Sequence, residues 1–182
     1  MPKAKHFIIT SLTLGLIAAG SGALIGGVNL LTRGRIEQNE KDEFNKGVSF
    51  IFGEGSDTTK KEDLKKKPVK YEMDYFDIKV TASYEVINNK NNVHGWAITT
   101  TGSNSYGKIS MIVGFDYDLK EYVNIYITED DQTYKSTLEE KYITKITNNK
   151  TKIDEVSCGA TYGAKLVRDS INAAKKHVDG LK

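Results

Sequence analysis

Between Phe7 and Leu31 the chain runs for 25 residues without a single Asp, Glu, Lys or Arg. At 1.5 Å of rise per residue, a helix of that length spans roughly 37 Å, enough to cross a hydrocarbon core of about 30 Å with some tilt. The stretch reads as a membrane anchor. A cleaved signal peptide is the alternative, with Ala18-Ala19-Gly20 resembling a small-residue cleavage site, although signal cores are usually shorter, about 7–15 residues. Small residues recur every four positions: Ala18, Gly22 and Gly26 in one row, Ala19, Ala23 and Gly27 in the next. Such rows let a second helix approach closely, or simply reflect the Gly and Ala content of membrane helices.

Charge matters mainly for what it excludes. Of the 26 Lys and Arg, Lys3 and Lys5 precede the anchor, which leaves 24 against 24 Asp and Glu in the rest of the chain. A balanced soluble part lacks the positive excess that a nucleic-acid binder needs. One cysteine excludes an internal disulfide framework. His6, His94 and His177 are scattered, with no Cys or His beside them, so no metal site is expected. Charge does not fix the orientation, because long domains translocate largely regardless of it.

The rest divides by pattern. Residues 32–56 read as a helix closed by Gly53-Glu54-Gly55-Ser56, and 57–70 as a polar linker, so that 32–70 is helix plus linker. Residues 1–6 form a short tail. From 71 to 128, strands are expected at 78–86, 95–101, 109–117 and 122–128, with short polar turns between them, which suggests an antiparallel sheet. Residues 135–146 read as a helix stopped by Asn148-Asn149. The last helix places Ala160, Ala164, Val167, Ile171, Ala174 and Val178 in one row, with Lys165, Arg168, Asp169, Lys175 and Lys176 away from it. The fold class is α+β: an N-terminal transmembrane helix, then a single antiparallel-sheet domain over 71–182 that ends in an amphipathic helix.

The chemistry-bearing stretch is Glu155-Val156-Ser157-Cys158-Gly159-Ala160-Thr161, a hydroxyl at a helix start beside a glycine. Free N–H groups and the helix dipole would favour an anion there, including a phosphate on Thr161. An ordinary helix start capped by Ser157 or Thr161 fits the same residues. Ser157 or Cys158 with His177 does not make a nucleophile and base, because His177 lies more than about 20 Å away along a helix.

The order of anchor, glycine-led strand (Tyr106-Gly107-Lys108-Ile109-Ser110-Met111-Ile112-Val113-Gly114-Phe115-Asp116) and Gly159-Ala160-Thr161, with Val167 six residues on, resembles the FMN-binding subunits of bacterial membrane redox complexes. These are the G-type component of the Rnf complex and the related C-type component of the sodium-pumping NADH:quinone reductase. The resemblance implies FMN joined by a phosphoester to Thr161, attached by a separate flavin transferase that uses FAD. It implies a single-pass protein of the cell membrane with its domain on the extracytoplasmic side. It further implies partnership with other membrane subunits of an ion-translocating ferredoxin:NAD electron transport complex. Such a chain is an electron-transfer component rather than a stand-alone enzyme, with no catalytic residue of its own.

The residues implied at the cofactor are Thr161, Ala160, Gly159, Cys158, Glu155, Tyr162, Gln132 and Thr133. Trp96, Tyr106 and Tyr134 are further candidates to pack on the flavin ring. Glu155 stands where the family motif has Asp, and Cys158 where it has Ser or Thr. Gly163 and Ala164 stand where it has hydroxyl residues, and Gln132-Thr133-Tyr134-Lys135 replaces a Glu-Thr-Pro-Gly stretch. These departures keep open an anchored non-redox module of the same fold that has lost its flavin. A free-standing extracellular electron-transfer flavoprotein also remains open.

Overall fold

The computed structural model describes residues 2–65, 67–90, 92–148 and 152–181. Met1 of the expected tail, Lys66 of the expected linker, Asn91 of the expected turn and Asn149 at the expected helix stop lie outside the described residues. The chain forms two units, residues 1–42 and 43–182.

The first unit is helical, the greater part of helix α1 (Pro2–Phe52). Ile8, Leu12, Leu16, Leu24 and Ile25 on it are exposed. By length and composition it is a helix able to cross a membrane.

The second unit begins with the last turns of α1, which Gly53 ends at φ 96°. Six strands follow: β1 (Asp57–Asp63), β2 (Val69–Glu72), β3 (Asp77–Ile87), β4 (Val93–Asn104), β5 (Gly107–Asp116) and β6 (Tyr122–Asp130). All pair antiparallel in the order β1-β3-β4-β5-β6, with β2 also on β3. After β6 come α2 (Lys135–Leu138), a π-helical turn (Glu139–Ile143), α3 (Thr144–Asn148) and α4 (Thr161–Gly180). The domain is α+β.

The main core lies between the sheet and these helices. Ile78, Trp96, Ile98, Met111, Val113 and Phe115 from the sheet meet Leu138, Tyr142, Ala164, Val167, Ile171 and Val178. A smaller core forms on the opposite face, where Val48 and Ile51 of α1 cover Val86, Ala97 and Ile112. Burial on both faces explains why β5 reads as a nearly continuous apolar run.

Two expectations are corrected. Within 57–70, read as linker, residues 57–63 pair instead as β1 and 69–70 as the start of β2. An edge strand draws its stability from main-chain bonds to one neighbour, so polar side chains do not prevent it; Lys61 adds a 3.2 Å cross-strand pair to Glu85. Asp169, placed on the polar side of α4, is fully buried. Its Oδ2 accepts the Tyr75 and Phe76 N–H groups (2.9 and 3.1 Å), and its Oδ1 accepts from Arg168 at 2.8 Å. These bonds compensate the lost hydration and tie the β2–β3 turn to α4.

Candidate functional site

Three segments converge at the start of α4. The first is the β4–β5 hairpin, whose register pairs Asn104 with Gly107 and leaves Ser105-Tyr106 as a two-residue tip. The second, residues 131–138, lies against that tip. The Asp131 N–H donates to the Lys108 carbonyl (3.0 Å), and the Thr133 N–H and hydroxyl both donate to the Tyr106 carbonyl (3.0 and 3.2 Å). This approach is possible because residue 107 is glycine. Its φ is 144°, and a Cβ there would stand 2.3 Å from the Asp131 carbonyl oxygen. The third segment, 159–163, is tied to the tip by Asn104, whose Nδ2 donates to the Tyr162 carbonyl (3.2 Å) while its Oδ1 accepts the Tyr106 N–H (2.8 Å).

The first intrahelical bond of α4 runs from the Ala164 N–H to the Ala160 carbonyl (3.0 Å). The N–H groups of Thr161, Tyr162 and Gly163 therefore have no partner within the helix, and no side chain caps it. Gly163 admits its neighbours closely: a Cβ there would lie 3.0 Å from Leu138 Cδ2 and 3.6 Å from Gln132 Oε1.

A cavity of about 70 Å3 results, lined by Tyr106, Gln132, Tyr134, Leu138, Gly159, Ala160, Thr161, Tyr162 and Gly163. Thr161 is half-buried at it. Gln132 is buried, and its Nε2 has no hydrogen-bond partner among the described residues. Tyr106, Tyr134 and Tyr162 are exposed and form a continuous rim, with Tyr106 centred 5.9 Å from Tyr134 and 5.6 Å from Tyr162. The volume is far below the roughly 300 Å3 at which small-molecule pockets usually begin. No carboxylate lines the cavity.

Of the eight residues implied from sequence, Thr161, Ala160, Gly159, Tyr162 and Gln132 line the cavity. Glu155, Cys158 and Thr133 do not. Glu155 is bound by Lys145 and Lys152, which hold its carboxyl below the usual range. Cys158 is a free, half-buried thiol packed against the core. Thr133 spends its hydroxyl on the Tyr106 carbonyl. Tyr106 and Tyr134 are at the cavity, whereas Trp96 is buried and stacked on Tyr117, 5.3 Å between centroids. Leu138 carried no sequence signal beyond its place in a helical row. His177 lies 3.0 Å through Nδ1 from Tyr71 Oη, and burial depresses its pKa.

Compared with known proteins, residues 1–46 match the family model described as the RnfG N-terminal region. The match supports an RnfG-type member of an Rnf electron-transport complex. The matched residues lie largely in α1, the helix able to cross a membrane, and do not reach the cavity. No curated protein matches the chain significantly.

Proposed function

We propose that this chain is a membrane-anchored electron carrier, with FMN joined through its phosphate to Thr161 Oγ1 and the domain of residues 43–182 on the extracytoplasmic side. The observation that carries this reading is the junction of a half-buried Thr161 hydroxyl, three N–H groups without helical partners and the unpaired Gln132 amide around one small cavity. In the attachment step the bond from Thr161 Oγ1 to the FMN phosphorus forms as the anhydride bond of FAD breaks. AMP leaves and the hydroxyl proton is lost, with a separate transferase supplying the catalysis.

The residues fit the group. The N–H groups of 161–163 and Gln132 Nε2 are donors suited to the phosphodiester oxygens. Gly163 keeps the wall open, and the rim tyrosines offer flat apolar faces for an isoalloxazine ring. Bound there, FMN would supply one- and two-electron transfer, while the chain holds and orients it. The tether keeps the cofactor from dissociating on an open surface. Two departures from the family motif, Glu155 and Cys158, lie outside the cavity, and Ala164 faces the core. Gly163 and Gln132 are the departures that do line it, Gly163 without the hydroxyl that the family motif has there, so the flavin-free module is the alternative that the test below must exclude.

The test is intact mass of the full chain co-expressed with a flavin transferase. A gain of one FMN less one water is expected, with flavin fluorescence on a denaturing gel. Thr161→Ala should abolish both and leave stability within about 0.5 kcal/mol, as for most substitutions away from a packed core. Flavin retained by the denatured variant would refute the assignment of Thr161. An unmodified wild-type chain would favour the non-redox module. Genes for the other complex members beside this one would separate a complex member from a free-standing flavoprotein.

A further inference from the structure

The first turn of α4 holds no acidic residue. Four residues after Thr161 stands Lys165, about 6 Å along the axis and on the same face. A cation so near the helix N-terminus gains nothing from the dipole. Nor does it find a carboxylate. Asp169 is occupied by Arg168 and two backbone N–H groups, and Asp74 pairs with Arg168 at 3.2 Å. Among the described residues Lys165 makes no ion pair. Its Nζ is instead held 3.9 Å from the centroid of the Tyr75 ring and 5.8 Å from that of Tyr162, a residue that lines the Thr161 cavity. Gln132, nineteen-twentieths buried and with its Nε2 unpaired among the described residues, lines the same cavity.

We propose that Lys165 is the countercharge of the phosphodiester on Thr161. This rests on the reading of Thr161 as the attachment site. A phosphodiester carries one negative charge at physiological pH, and an anion placed four residues before a cation is the favourable helical order. Cation–π contacts with Tyr75 and Tyr162 hold the ammonium near that position without neutralising it. With no acid lining the cavity, the phosphate meets no like charge there.

The experiment compares full-length wild type, Lys165→Gln and Lys165→Arg in detergent, each with and without co-expressed transferase. Intact mass reports attachment, and the fluorescence of the single buried Trp96 reports thermal unfolding. Without FMN, Lys165→Gln should melt at or above the wild-type temperature. With FMN attached it should melt about 2 °C below wild type at low salt, the difference shrinking in 0.5 M salt. Lys165→Arg should recover the loss. Failure of Lys165→Gln alone to take up FMN, while folded and rescued by Lys165→Arg, supports the same role. Equal shifts in the loaded and unloaded forms would overturn the proposal, because a purely structural lysine does not sense the phosphate. A wild-type chain with no mass gain would overturn the Thr161 reading itself, and this inference with it.

Discussion

Gln132 offers the sharpest quantitative check, because its burial runs against the stability of the unloaded domain. The side chain is 5% exposed and its Nε2 is unpaired. An unsatisfied buried donor costs about 1–3 kcal/mol. Methionine has nearly the same length and shape and no donor to strand. Gln132→Met should therefore stabilise the FMN-free protein by about 1–2 kcal/mol after allowing for imperfect packing. For a unit spanning residues 43–182, that corresponds to roughly 3–6 °C in Tm. With FMN attached, the wild-type amide gains an acceptor, and the advantage of methionine should shrink or reverse. Thermal unfolding followed through Trp96 measures both states. A lower Tm for the unloaded Gln132→Met protein would refute the reasoning, since it would show that the amide already has a partner.

Asp169→Asn should destabilise the domain by about 1–3 kcal/mol, read as a lower urea midpoint, because it weakens the buried acceptor of the Tyr75 and Phe76 N–H groups and leaves Arg168 with the exposed Asp74 alone. His177 titrates in the sense that burial dictates. Its pKa in the folded protein is lowered from 6.5, so its contribution to stability is complete above pH 6.5 and declines as pH falls below that value. Denaturant midpoints between pH 7 and 5 should fall less steeply for His177→Gln than for wild type, and identical slopes would count against the buried neutral ring.

Much of the fold was legible because its signals are periodic. Strands β3 to β6 lie close to where alternation of β-formers puts them, and the apolar row of α4 from Ala160 to Val178 is buried throughout. What failed to show depends on partners distant in sequence. Nothing local in Asp57–Asp63 announces a strand, since its pairing is supplied by β3. Asp169 looks like a surface acid until the Tyr75 and Phe76 N–H groups, more than ninety residues earlier, are folded onto it. At the cavity, Thr161 and its neighbours were legible as a motif. Glu155 and Cys158 share that motif in sequence, but the turn at Gly159 (φ 82°) separates them from the wall. Leu138 enters through tertiary packing, which no spacing rule reveals.

The last ten residues of α1 belong energetically to the domain and not to the apolar segment that precedes them. Val48 and Ile51 close the smaller core, and the Tyr126 hydroxyl donates to Glu43 at 2.8 Å. Severing the chain just ahead of Glu43 would preserve every one of these contacts. Beginning a water-soluble fragment at the first strand would instead bare Val86, Ala97 and Ile112 on an open sheet face, an invitation to self-association.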